Sequence, residues 1–364
     1  MKILHVYKTY LPDDFTGVPR VIHALAEGMA PFGVETAVLT VGTQNEGACV
    51  SVGTHKVHIA RRNLEIASTG ISVSAFKLFR RLVQDTDVVN YHFPWPFGDL
   101  LHFSARYPAP RVVTYHSDIV RQRSLAQLYS PVQHAFLSSM DSIVATSPNY
   151  LETSATLRKF SQTTTVIPIG IPDERASLRL MDKWKDRVGD NFFLFLGALR
   201  YYKGLPFLVE AARQTRLRLV VAGGGDPAIL GPNVPDNVTV LGEVGETDKL
   251  ALLQLCQGFV FPSHLRSEAF GISLLEAARA GKALISTEIG TGTSFINLNG
   301  ITGIVVPPAS SEALAAAMLR LASNPELARQ MGQKARLRYL TYFQQDRMVQ
   351  DYLGLYQRLR SAQH

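Results

Sequence analysis

The chain has 364 residues, 46% of them hydrophobic and 18% charged, which excludes disorder as its main state and gives length for about two domains. Its two cysteines, Cys49 and Cys256, lie far apart without metal-ligand spacing, so neither a disulfide framework nor a zinc site is expected and the cytoplasm is the expected compartment. A formal net charge of +7 and a sequence pI near 9.4 favour anionic partners: phosphate groups, nucleic acid or an acidic membrane surface.

In chain order, the opening KILHVYK reads as a buried strand, its apolar core being too short for a signal peptide. The helical pattern GVPRVIHALAEGMAPFG and the strand VETAVLTV follow, and further strands are expected at DVVNYHF, RVVTYH and SIVATS. Strand and helix in alternation are the signature of a parallel sheet covered on both faces. The pattern runs to VIPIGIP at residues 166 to 172, and the polar stretch DERASLRLMDKWKDRVGD after it reads as a linker. A second alternation carries strands at FFLFLG, RLVVAGGG, NVTVLG, GFVFPS, ALISTE and GIVVPP, with a helix expected between each pair, and helical sequence closes the chain from Pro325 to about Ala362. The expected fold class is α/β, with two doubly wound Rossmann-like domains facing a central cleft. The expected boundaries are 1–172, 173–345, and a terminal helix at 346–364 returning to the first domain. No apolar run is long enough to span a bilayer.

Ligands of open parallel sheets bind beyond the carboxyl ends of the strands, so the informative residues should follow strands. After FFLFLG, the loop ALRYYKG places Arg200 and Lys203 ahead of the helix LPFLVEAARQT. Two cations beside unpaired helix N–H groups form a site for a diphosphate, although each could equally be a solvated surface charge. In FPSHLRSEAFGISLLEAARAG, residues 261 to 281, Glu268 precedes a helix and Glu276 lies inside it. The backbone N–H groups of Phe270, Gly271 and Ile272 are expected to point out of that helix end toward an anion. Either glutamate alone could be structural, the first as compensation of the helix dipole and the second as a solvated side chain.

Together these segments resemble the retaining family 4 glycosyltransferases of GT-B fold. The resemblance is carried by the Glu-x7-Glu motif in SEAFGISLLEA, by GALRYYKGL, AGGGDP and VIPIGI, and by GKALISTEIGTGTSFI and TGIVVPP, and it covers nearly the whole chain. It implies an acceptor-binding first domain and a second domain that binds a nucleotide-sugar. Arg200 and Lys203 would neutralise the donor diphosphate, Glu268 would bind the transferred sugar and Glu276 the ribose hydroxyls. Gly225 of AGGGDP would belong to the donor site. His116 in TYHSD matches the family's histidine near the reacting sugar, with local packing as its structural reading; His5, His92 and His102 are read as structural. Gly17 in FTGVPR falls at the family's phosphate or acceptor loop, where many relatives carry two glycines and this chain has Thr16-Gly17.

Transfer of a glycosyl group builds positive charge at the anomeric carbon and negative charge on the leaving phosphate. Arg200, Lys203 and the helix end would serve the phosphate. No Asp-x-Asp or histidine cluster calls for a metal, and no cofactor is expected, the nucleotide-sugar being a substrate. The run RSEAFGISLLEAARAGKALISTEIGTGTSFIN is similar to bacterial mannosyl- and rhamnosyltransferases of O-antigen or exopolysaccharide assembly. That similarity implies a GDP-linked hexose donor, with a UDP-sugar as alternative, and an acceptor carried on a polyprenyl diphosphate at the inner membrane. A membrane contact is offered by SVSAFKLFRRLVQD, which puts Lys77, Arg80, Arg81 and Gln84 on one helical face and Val73, Phe76 and Val83 toward another. Three other readings compete. AGGGDPA with Glu243 fits a dinucleotide fingerprint and a nicotinamide oxidoreductase. The same two-domain fold also serves sugar-nucleotide epimerases and glucan synthases. The basic charge fits a nucleic-acid binder, but no nucleic-acid-binding signature accompanies it.

Overall fold

The structure is a computed structural model that describes residues 1–66, 69–119 and 123–362. The chain divides into two compact units, one made of Met1–Gly170 with Gln345–His364, the other of Ile171–Gln344.

The first unit is built on β1 (Lys2–Val6), β2 (Glu35–Gly42), β3 (Cys49–Val52) and β4 (His55–Arg61), followed by a small hairpin of β5 (Leu64–Ile66) and β6 (Thr69–Ile71). Strands β7 (Val88–Phe93), β8 (Arg111–Tyr115), β9 (Ser142–Ala145) and β10 (Thr164–Val166) complete it. Among the described residues the large sheet runs in the order β10-β9-β8-β7-β1-β2-β4-β3. It is parallel except for β3, which pairs antiparallel with β4. The continuous apolar runs are explained by burial on both faces: every residue of β7 and β9 is buried. Helices α1 (Val18–Met29), α2 (Val73–Leu82), α3 (Pro96–Phe103), α4 (Arg123–Ser138) and α5 (Pro148–Thr153) cover the sheet.

The second unit holds β11 (Phe193–Leu196), β12 (Leu219–Ala222), β13 (Val238–Gly242), β14 (Gly258–Phe261), β15 (Ala283–Thr287) and β16 (Gly303–Val306). Their order is β13-β12-β11-β14-β15-β16, the doubly wound arrangement in which winding reverses between the first and fourth strands. Its helices are α6 (Leu178–Val188), α7 (Leu205–Thr215), α8 (Glu246–Leu255), α9 (Ile272–Arg279), α10 (Thr293–Ile296), α11 (Ser311–Ala322) and α12 (Pro325–Tyr342). The last helix, α13 (Gln345–Ser361), belongs to the first unit. Phe193, Phe195, Leu208, Val221, Val260, Ile285 and Met318 are among the residues that fill the core of the second unit.

Three sequence expectations are corrected. The stretch read as a linker contains α6, capped by Ser177 Oγ, which accepts from Leu180 N. Its Trp184 and Val188, one turn apart, are buried, and the Trp184 indole N–H donates to Asp248 Oδ1 of α8 at 2.7 Å. Between β12 and β13 a 3-10 turn at Pro227–Leu230 replaces the expected helix. Along α2 and the 3-10 turn that follows it, the buried stripe is Ala75, Phe79 and Val83, while Val73 is 73% exposed; an error of one helical position at the first residue turns that side chain away from the core.

Candidate active site

In the second unit the loops leaving β11 and β14 flank the point where the winding reverses, and they carry the sequence-predicted residues. Loop 197–204 follows β11 and contains exposed Arg200 and a 3-10 turn, Tyr201–Lys203. Lys203 is only 9% exposed. A solvated lysine is therefore excluded, and burial of an ammonium requires a partner. That partner is Glu268, whose Oε2 is ion-paired to Lys203 Nζ and also accepts from Ser263 Oγ at 3.4 Å. The ammonium lies 4.8 Å from the centre of the Phe261 ring and 5.4 Å from that of Tyr202, within reach of cation–π attraction.

Gly204 locks these two loops together. It has φ +70, and a Cβ there would run into the carbonyl oxygen of Pro262. His264 N also donates to Tyr202 O at 2.9 Å, adding a backbone tie. Loop and strand order thus bring Lys203 and Glu268 together across 65 residues of sequence.

The helix that follows, α9, has Gly271 as its N-cap at φ +97, a position with no side chain to satisfy the first-turn N–H groups. Any side chain there would also crowd the Phe261 ring, 3.2 Å from a Cβ. Phe270 is buried beside this end and Ile272 opens the helix. Glu276 sits on the same helix, 9% exposed, so the solvated reading does not hold for it. Gly225 lies past β12, bridged to Leu199 of the first loop, and Gly223 packs on the Gly197 carbonyl. The glycine run read as a dinucleotide fingerprint thus serves close backbone packing against the loop that carries Arg200 and Lys203.

In the first unit Gly17 is the exposed N-cap of α1, φ +50, with no side-chain cap. His116 immediately follows β8 and is 7% exposed. Its Nε2 is hydrogen-bonded to His92 Nδ1 at 2.9 Å, and His92 Nε2 is hydrogen-bonded to His5 Nδ1 at 2.9 Å. The planes of His92 and His116 lie within 18° of each other with ring centres 5.2 Å apart, the edge-to-edge placement that an in-plane hydrogen bond requires. Burial, with His55 nearby, pushes His5 down to about 3. Burial also pushes His116 down to about 3, and burial with two flanking imidazoles holds His92 well below the usual histidine range. All three rings are therefore neutral at physiological pH. Sequence reasoning singled out His116 and left His5 and His92 as structural; the signal that joins them is the meeting of β1, β7 and β8, which no local pattern announces.

Two doubly wound units, with a buried Lys–Glu pair and an uncapped helix end at the reversal point of the second, define a protein of the GT-B class. The comparisons agree. Residues 15–175 match the family described as Glycosyltransferase Family 4, and residues 178–338 match Glycosyl transferases group 1. The chain is 48% identical to an O-antigen chain mannosyltransferase C of Escherichia coli over 366 residues, 98% of each chain. It is also 48% identical to the D-rhamnosyltransferase WbpZ of Pseudomonas aeruginosa, covering 94% of this chain and 92% of that one. Among solved structures, a sucrose-phosphate synthase from Thermosynechococcus elongatus superposes with a TM-score of 0.81 at 21% identity over 99% of both chains. Anabaena HepE in complex with UDP gives 0.75 at 17% identity over 98% of this chain and 99% of that one. The chain belongs to the family 4 glycosyltransferases and has the GT-B fold.

Proposed function

We propose that this glycosyltransferase moves mannose or rhamnose from a GDP-linked donor onto a lipid-linked glycan of O-antigen or exopolysaccharide assembly, with retention of anomeric configuration. The observation that carries the reading is the 48% identity, along nearly the whole chain, to relatives named as O-antigen mannosyl- and D-rhamnosyltransferases. The geometry of the second unit is compatible with it. Arg200 and the N-terminus of α9 offer positive potential to a diphosphate, Lys203 adds its ammonium, and Glu268 accepts hydrogen bonds from sugar hydroxyls. Glu276 holds the ribose, and Phe270, Gly271, Ile272 and Gly225 bring backbone close to the donor. Gly17 and His116 serve the acceptor side and the reacting sugar from the first unit.

In the reaction the bond between the anomeric carbon and the leaving phosphate oxygen breaks as the acceptor oxygen bonds to the same carbon on the same face. The acceptor proton passes to the leaving phosphate, so Glu268 orients and stabilises without becoming a covalent nucleophile. No step requires a metal. No helix among the described residues is long and apolar enough to cross a membrane. Contact with a polyprenyl diphosphate acceptor would be peripheral. The exposed side of α2, with Val73, Lys77 and Arg81, and the neighbouring exposed Leu64 and Ile66 offer apolar and basic groups for it.

Thermal unfolding with GDP, UDP, ADP and NAD at matched concentrations tests the donor. A nucleotide at a hundred times its Kd adds about 2.7 kcal/mol of stability. GDP is expected to stabilise selectively, with the effect lost in Arg200→Ala; selective stabilisation by UDP would replace the donor, and a response to NAD alone would overturn the reading. Product made from GDP-mannose or GDP-rhamnose is then examined by NMR, where an inverted anomeric centre contradicts retention.

A further inference from the structure

We propose that His92 and His5 are positioning residues that act through His116 as a three-ring relay, holding its imidazole in one orientation and coupling its tautomer to theirs. The proposal rests on His116 facing the reacting sugar, and it names residues that touch no substrate.

The two hydrogen bonds of the relay join unlike nitrogens, Nε2 of His116 to Nδ1 of His92 and Nε2 of His92 to Nδ1 of His5. A neutral imidazole carries one N–H and one acceptor nitrogen. If His116 donates from Nε2, His92 accepts at Nδ1 and must donate from Nε2, so His5 accepts at Nδ1 and all three rings carry their proton on Nε2. If instead His5 donates from Nδ1, the same logic puts the proton on Nδ1 in all three. Mixed arrangements leave two donors or two acceptors facing each other inside the protein, which costs a buried hydrogen bond. The three tautomers are therefore one variable. What His116 shows at Nδ1, an acceptor or a donor, is fixed jointly with the state of His5, two rings deeper.

Packing makes the relay rigid. His5 is fully buried, and His92 is 2% exposed. The inner end, His5 Nε2, has no hydrogen-bond partner among the described residues, so the chain of hydrogen bonds ends there. His116 N donates to Phe93 O at 3.0 Å, tying the ring's backbone to β7. Two residues earlier on β7 and β8, Asn90 and Thr114 point to the same side as His92 and His116. Asn90 Nδ2 donates to Tyr356 Oη at 2.7 Å, and Thr114 Oγ1 is hydrogen-bonded to Tyr352 Oη at 3.0 Å, so α13 braces the strand face from which the relay projects.

The experiment uses the full chain with 15N-labelled histidine, reading ring tautomers from long-range 1H–15N correlations near pH 7, alongside steady-state kinetics with GDP-mannose or GDP-rhamnose. The expected result is one shared tautomer for His5, His92 and His116. In His92→Phe the tautomer of His116 should no longer follow that of His5, and kcat should fall by about tenfold or more with the donor KM little changed, as expected when a group at the reacting centre loses its orientation. His92→Gln, which can accept on one side and donate on the other, should recover part of that loss. Differing tautomers among the three rings in the unaltered protein would overturn the proposal, and this spectrum decides even if His92→Phe fails to fold. So would a His92→Phe enzyme with unchanged kcat and an unchanged His116 spectrum while His116→Phe is inactive. Full turnover by His116→Phe would instead remove His116 from the reaction, a failure of the functional reading that the shared tautomer does not depend on.

Discussion

Lys203 and Glu268 show how one contact can carry both stability and chemistry. Their side chains are 11% and 12% exposed, and a pair so deep is costly to break because the survivor keeps its charge without its partner. Lys203→Met is expected to destabilise the protein by about 3 kcal/mol. It should also lower kcat by about a hundredfold if the ammonium assists charge developing on the leaving phosphate. The double variant Lys203→Met/Glu268→Leu separates the two effects, since replacing both ions by apolar groups of similar size is often neutral for stability. Denaturant unfolding of the double variant should return near the original stability while turnover stays low. Recovery of both together would assign the pair a purely structural role, and recovery of neither would mean that the glutamate makes further contacts that matter more than the pair.

At the scale of elements, the ends of β1, β7 and β8 concentrate buried histidines, and this makes the first unit sensitive to acid. Each ring is held neutral when folded but takes up a proton near pH 6.5 when unfolded. The unfolded chain therefore binds more protons below that pH, and stability falls as pH drops from about 6.5 toward the folded values near 3. Each ring withdraws up to about 1.4 kcal/mol per pH unit in that window, the three together up to about 4. Burial also lowers His55, His58 and His102 of the same unit, so urea unfolding at pH 7, 5.5 and 4.5 should show a slope that is shallower, though not abolished, in His92→Phe; an equal slope in both proteins would mean that His92 titrates normally. The histidines also mark the limit of what the sequence reveals. The strands β1, β7, β8 and β9 were legible because burial on both faces writes an apolar run. Strand β3 was not, because its residues alternate between exposed and half-buried. Helix α6 was hidden by its charge: Trp184 and Val188 are the buried residues among lysines, arginines and aspartates, and a reading that weighed net polarity missed their one-turn spacing. Lys203 and Glu268 were each legible as residues in loops after strands, whereas their pairing, like the histidine relay, depends on strand order and appears only in three dimensions.

On the scale of the whole molecule, the chain enters the second unit at Ile171 and leaves it after Gln344, so the first unit is assembled from two distant pieces of sequence. The returning piece is not an ornament. Met348, Val349, Tyr352, Leu355 and Tyr356 of α13 are all buried, Val349 packs on Gly28 of α1, and Arg360 pairs with Asp87 at 3.3 Å. Removing residues 345–364 uncovers that apolar surface and takes away the tyrosine partners of Asn90 and Thr114, which keep only the hydrogen bond from Thr114 Oγ1 to Asn90 Oδ1. The second unit, in contrast, is continuous, and Arg200, Lys203, Gly225, Glu268, Phe270, Gly271, Ile272 and Glu276 all lie within it. A fragment of residues 171–344 is therefore expected to unfold cooperatively by itself and to keep the stabilisation by GDP proposed for the full chain. A fragment of residues 1–170 should fail to give a cooperative transition until residues 345–364 are restored through a flexible linker. Circular dichroism melts of the three fragments, with and without nucleotide, test both halves of the argument. Cooperative folding of 1–170 alone would show that α13 only decorates the first unit, and loss of the GDP response in a well-folded 171–344 would mean that the first unit supplies part of the nucleotide site.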